Sequence, residues 1–178
     1  LRIITVGTLP AVILGLLTPI QDTIDNSSQI LIYTGTAYFF LSVMLIFSEK
    51  VTFKNILSVE EITIKQAFMI GIAQAFALMP GISRSGVTLL VAMYLGLKKT
   101  DAIFYSMLIG IPTIFGAWSL TFVNQSFEVN TSILIPTIVA FLTGILAIKL
   151  LVKFTTESKL QFFGFYCLIL SIISFGLN

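Results

Sequence analysis

The twenty residues from Ile133 to Val152, ILIPTIVAFLTGILAIKLLV, carry a single charge, Lys149. A helix needs about 20 apolar residues to cross a bilayer. Runs of the same kind lie near Ile3–Ile20, Ile30–Phe47, Ala102–Val123 and Leu160–Leu177. None shows the polar stripe at helical spacing that a helix on a water-soluble core presents. With 57% apolar and 10% charged residues, no histidine and a mean hydropathy of +1.04, the chain falls outside the soluble globular class. The expectation is an all-α polytopic membrane protein with about five spanning helices in one transmembrane domain, residues 1–178.

The placement of charge orients these spans. QDTIDNSSQ holds Asp22 and Asp25 without a base, and NQSFEVNT holds Glu128 without one. Lys50, Lys54, Lys65, Lys98, Lys99, Lys149, Lys153 and Lys159 fall in or beside the other connections. The positive-inside rule puts the basic connections in the cytoplasm and the two acidic loops outside. Nothing in this pattern, or in the net charge of +2, points to nucleic acid. The lone Cys167 lies mid-span and reads as a small core residue. The chain opens with Leu directly into a span, as a fragment of a longer protein would.

Alternation then requires the segment from Lys65 to Lys98 to begin and end on the cytoplasmic side. One helix over 66–97 would be far longer than the roughly 30 Å hydrocarbon core, and Pro80-Gly81 would break it midway. Its halves, Gln66–Met79 and Gly86–Leu97, are each shorter than the roughly 17-residue minimum for a span. The sequence therefore predicts a re-entrant helical hairpin over 66–97. Ser58 and Glu61 have capping-box spacing at its entry, and Thr100 or Asp101 is expected to cap the span that follows.

Its turn, MPGISRSGV, places Arg84 at membrane depth. A buried arginine there costs about 2.5–3.5 kcal/mol on the lenient insertion scale and should face an acid or an anion. All eight carboxylates lie in loops or at span ends, so the chain supplies no acid. The neighbours suit a phosphate. Gly81 and Gly86 admit close approach. Ser85 is placed to cap the second half-helix, whose free N–H groups favour an anion. Thr88 follows on the same face. Ser83 and Ser85 add hydroxyls, and Arg84 adds a planar fork. No histidine, intramembrane carboxylate or Ser/His/Asp set supplies a general base. A metal site built from this chain alone is unsupported.

QAFALMPGISRSGVT, Gln74–Thr88, resembles the Pro-Gly-x-Ser-Arg-Ser-Gly motif of the undecaprenyl-diphosphate phosphatases, the bacitracin-resistance family. GTLPAVILGLL, Gly7–Leu17, is similar to the Pro-Ala helix ahead of that motif. DAIFYSMLIGIPTIFGA, Asp101–Ala117, resembles the Phe-Ser-x-x-x-x-x-Pro helix behind it. The resemblance implies removal of the terminal phosphate from undecaprenyl diphosphate, a polyprenyl lipid that carries cell-wall precursors. It implies two inverted repeats, each with a re-entrant hairpin, around a cavity open to the extracytoplasmic face of the bacterial inner membrane. By the same resemblance Arg84, Ser83 and Ser85 form the catalytic set. Gly81, Ser83, Arg84, Ser85, Gly86, Thr88 and Gln74 bind diphosphate.

The family's other motif, resembling Glu-Gly-x-Thr-Glu-Phe-Leu-Pro-x-Ser-Ser-x-Gly-His, is absent from residues 1–178. It carries the acids and histidine that the resemblance assigns to a divalent cation, Mg or Ca, and to bond cleavage. Those ligands are expected upstream of Leu1, with none in this chain, and the chain alone is expected to be inactive. Phe104 stands where relatives often carry a charge. The runner-up reading is a phosphate or lipid-phosphate transporter or flippase of the same inverted-repeat architecture, and a third is a scaffold without activity. A homodimer is left open. Pro10 and Pro112 read as kinks whose freed carbonyls neighbouring helices satisfy, and Trp118 as an interfacial anchor.

Overall fold

A computed structural model of the chain describes residues 1–18, 24, 27–48, 56–124, 133–157 and 159–177. Among these the chain is all-α: α1 Arg2–Leu17, α2 Ile30–Ser48, α3 Ile64–Phe76, α4 Arg84–Tyr94, α5 Lys99–Asn124, α6 Leu134–Thr156 and α7 Leu160–Gly176, with a 3₁₀ turn at Val59–Glu61. Three helices are long and apolar enough to cross a membrane, namely α2, α6 and the Lys99–Leu120 part of α5. The terminal helices are apolar but shorter, at 16 and 17 residues. For α1 the cause is local: Thr18 precedes Pro19, a position that disfavours helix, and it turns extended at φ −125°, ψ 129°. Asp22, Asp25, Lys50, Lys54 and Glu128 lie outside the described residues.

Neighbouring contacts fix the helix directions. Gly7 lies against Ala67 and Gly15 against Leu78, so α1 and α3 run side by side in the same sense. Tyr105 donates to the Ile3 carbonyl at 2.7 Å and Ile109 meets Gly7, which sets α5 parallel to α1. Gly35 meets Ser174 and Phe175 while Gly164 meets Ser42 and Ile46, so α2 and α7 are antiparallel. Small residues line that last contact and let the backbones approach, which is how helices associate where lipid removes the hydrophobic drive. Ser171 adds a hydrogen bond to the Gly35 carbonyl at 2.7 Å. These directions gather Arg2, Lys65, Lys98, Lys99, Lys153 and Lys159 toward one end of the bundle. No carboxylate stands on the described helices at the other end.

α3 and α4 form the hairpin, with bounds that differ from those read in sequence. The first arm is Ile64–Phe76 rather than Gln66–Met79, and the second is Arg84–Tyr94 rather than Gly86–Leu97. At about 1.5 Å per residue they reach roughly 20 and 16 Å, short of a ~30 Å hydrocarbon core. The Ser58–Glu61 box is present but closes only the 3₁₀ turn, Glu61 Oε2 accepting from the Ser58 N–H at 2.7 Å. A second box starts α3: Thr63 Oγ1 accepts from the Gln66 N–H at 3.3 Å, and Gln66 Oε1 accepts from the Thr63 N–H at 2.9 Å. α5 begins at Lys99, so Thr100 and Asp101 sit inside its first turn instead of capping it.

The two ends of the hairpin are tied together. Lys98 donates its N–H to the Leu57 carbonyl and Leu57 donates to Gly96, both at 3.0 Å. Gln66 Nε2 donates to the Leu95 carbonyl at 3.1 Å. α4 closes in a Schellman arrangement, with the Leu97 N–H on Ala92 O, the Gly96 N–H on Met93 O, and Gly96 left-handed at φ 99°. Buried Ile70, Leu89, Leu90, Met93, Tyr105 and Ile109 form the core around these arms. α6 is the outlier: its apolar side chains are exposed along its length, and Phe154 holds its end to α7 through an edge-on contact with Phe163 at 5.3 Å.

Candidate functional site

The hairpin tip follows from its sequence. α3 tightens at its end into successive i to i+3 bonds from Ala77, Leu78 and Met79. Pro80 then withholds an N–H and Gly81 reverses the chain at φ 93°. A Cβ on Gly81 would lie 2.8 Å from the Thr34 carbonyl and 3.1 Å from Ala37 Cβ. The close approach that needs this glycine is therefore to α2. It seats the tip partway along α2, with Gly86 and Leu41 the next pair along.

Ser83, not Ser85, caps α4. The helix starts at Arg84, so Ser83 is the extended residue ahead of it (φ −71°, ψ 111°), and its Oγ accepts from the Gly86 N–H at 3.2 Å. The side chain of Ser85 is left uncommitted by capping. Among the described residues no hydrogen bond is found for the N–H groups of Arg84 and Ser85, so the helix end presents two amides with its positive dipole. Thr88 is fully buried and donates to the Arg84 carbonyl at 2.8 Å, bracing the first turn from behind.

The guanidinium of Arg84 has neutral partners. Nε and Nη2 donate to Gln74 Oε1 at 3.1 and 2.8 Å, and Nη2 donates to the Ile109 carbonyl at 3.2 Å. The Ile109 carbonyl also accepts from the Thr113 hydroxyl at 3.1 Å, one residue on from the Leu108 carbonyl that Pro112 leaves without its helical N–H. The guanidinium lies over Gly110, where a Cβ would sit 3.7 Å from Nη2 in ordinary contact. Gln74 is 2% exposed, and its Nε2 has no acceptor among the described residues. An unpaired buried donor of this kind costs about 1–3 kcal/mol. No ion pair reaches Arg84 among the described residues.

The motif thus divides around the tip. Ser83, Ser85, Gly81 and Gly86 line a cavity of about 920 Å³ walled by α2, α6 and α7, with Tyr38, Leu41, Phe163, Tyr166 and Cys167 among its apolar lining. Arg84 points away from that wall, toward α3 and α5. Hydroxyls, an amide and a cation suit an anion; they do not suit a divalent cation, which takes carboxylate, carbonyl or imidazole ligands. Among the described residues no three of His, Cys, Asp and Glu come together. Sequence reasoning singled out Arg84, Ser83, Ser85 and Gln74 but missed the Ile109 carbonyl. No local signal marks it: the carbonyl that Pro112 frees is that of Leu108, four residues back.

A family model described as bacitracin resistance protein BacA matches residues 1–173. The chain is 41% identical over 167 residues to an undecaprenyl-diphosphatase of Methanococcus vannielii, covering 94% of this chain and 65% of that protein. It is 39% identical over 172 residues to one of Thermosipho africanus, covering 97% and 67%. With one of Rhodopirellula baltica it shares 35% over 182 residues, covering 99% and 70%. The chain thus spans about two thirds of the length of the relatives it matches.

Proposed function

The chain belongs to the bacitracin resistance protein BacA family, and on that premise we propose that it is the diphosphate-gripping part of an undecaprenyl-diphosphatase. The observation that carries the proposal is a half-buried arginine that, among the described residues, is bound only by neutral acceptors, beside a helix end where two amides find no partner among them. An anion with several oxygens can accept from the two amides and from the guanidinium N–H groups that Gln74 and Ile109 leave free. Its lipid tail fits the apolar cavity beyond Ser83 and Ser85. The names of the relatives favour hydrolysis over transport.

In this reading α3 and α4 enter from the basic end of the bundle and turn back within the membrane, because both arms are short and their ends are tied together. The positive-inside rule makes that end cytoplasmic, so the tip opens toward the extracytoplasmic side of a bacterial inner membrane. In the same reading the shorter apolar helices α1 and α7, of 16 and 17 residues at the lower limit of length, count with the three longer ones as five spans.

The reaction cleaves the bond between the terminal phosphorus and the bridging oxygen. A water oxygen joins that phosphorus, the bridging oxygen leaves on the lipid monophosphate, and inorganic phosphate departs. Negative charge gathers on the oxygens that Arg84 and the α4 amides would hold, and pre-set donors there lower the barrier. Ser83 binds rather than attacks, since its Oγ is engaged with the Gly86 N–H and no base among the described residues adjoins it. Groups outside these residues would supply the base and any divalent cation. The test is the full-length protein in liposomes with undecaprenyl diphosphate. Equal amounts of inorganic phosphate and lipid monophosphate support the proposal, and movement of intact lipid diphosphate without phosphate release defeats it.

A further inference from the structure

Arginine only donates hydrogen bonds, so the Gln74 atom between its Nε and Nη2 must be the oxygen. That choice turns Nε2 the other way, into a buried place with no acceptor among the described residues. A glutamate at 74 would exchange that stranded donor for a second acceptor oxygen, which the guanidinium could meet by turning its fork to face both. It would add charge-assisted bonds to the same guanidinium. It would also neutralise Arg84. Among the described residues no acid does so: the ionisable side chains on α3 and the helices around it are Arg2, Lys65, Arg84, Tyr94, Lys99, Asp101 and Tyr105. Asp101, the sole acid there, lies two helical turns, about 12 Å, from Ile109. The sequence thus keeps an arrangement that is worse for the chain alone and better for an incoming anion.

We propose that Gln74 is a positioning residue that fixes the direction of the Arg84 guanidinium while leaving its charge uncompensated for the diphosphate. The proposal rests on the reading of Arg84 as the diphosphate clamp. It removes Gln74 from direct contact with substrate, because its oxygen is committed to Arg84 and its side chain is buried.

The test compares wild type, Gln74→Glu and Arg84→Ala in the full-length protein, by inorganic pyrophosphate titration calorimetry and by thermal unfolding in detergent. Gln74→Glu should raise the unfolding midpoint while weakening pyrophosphate binding at least about tenfold. A purely structural role would move both in the same sense. Gln74→Met, which keeps length and removes the acceptor, should weaken binding at least about threefold without raising the midpoint. Should Gln74→Glu fail to fold, binding by Gln74→Met within twofold of wild type overturns the inference. Gln74→Glu binding within twofold of wild type, with Arg84→Ala not binding, also overturns it and leaves the clamp standing. Wild-type binding by Arg84→Ala defeats the clamp itself and the inference with it.

Discussion

Gly81→Ala probes how the site is held. Alanine at φ 93° takes on the left-handed penalty of about 1–2 kcal/mol. Its Cβ would also sit 2.8 Å from the Thr34 carbonyl, a backbone atom of a packed helix, so the tip must retreat from α2 by a few tenths of an ångström. Overpacking of that order costs a further ~1–3 kcal/mol. Gly96→Ala is the control. Its φ of 99° imposes the same backbone penalty, but the nearest atom to its Cβ is the flexible Leu57 Cδ1 at 3.5 Å. Both proteins should unfold at lower temperature in detergent, Gly81→Ala further by ~1–3 kcal/mol. Phosphate release from undecaprenyl diphosphate should fall at least about tenfold for Gly81→Ala, because shifts well under 1 Å at a binding tip are felt strongly in rate. Gly96→Ala should stay within about twofold. Equal losses of activity in the two variants would show that seating the tip against α2 does not shape the site.

Ser83→Ala removes the α4 cap and should cost ~1 kcal/mol of stability, with about a fivefold loss of kcat/KM in the phosphate-release assay. Gln66→Leu breaks the bonds to Thr63 and Leu95 that close the base of the hairpin; unfolding should ease by ~1–3 kcal/mol and protease cutting near residue 57 should quicken. Glu61 has its carboxyl held below the ordinary range, chiefly by the Ser58 N–H and also by its hydroxyl. A depressed carboxyl stabilises above its unfolded pKa of about 4.3 and loses that contribution as pH falls through the folded value. The unfolding midpoints of wild type and Glu61→Gln should therefore differ at pH ~7 and converge as the pH falls through the folded value; a constant gap would refute the assignment.

The hairpin was legible because its signals are local. Pro80-Gly81 breaks a run too long for one span and too short for two, and basic residues flank it. The caps were half legible: Ser83 and Ser85 both have the chemistry, and choosing between them needs the first helical residue, which the sequence leaves ambiguous by a turn. α1 could have been ended at Leu17 by reading Thr18-Pro19. What sequence could not carry was the pairing of Gln74 with Arg84 and of Arg84 with the Ile109 carbonyl, separations of 10 and 25 residues that depend on how α3, α4 and α5 pack. Composition put every acid of the chain in a loop or at a span end. It did not reveal that a neutral amide holds Arg84 in place.

The most direct measurement is kcat/KM for phosphate release from undecaprenyl diphosphate by Arg84→Lys in the full-length protein. Lysine keeps the charge and loses the fork held by Gln74 and Ile109, so the expected result is a fall of at least about a hundredfold with an unfolding midpoint close to wild type. A rate near that of wild type would mean that the guanidinium does not grip the diphosphate.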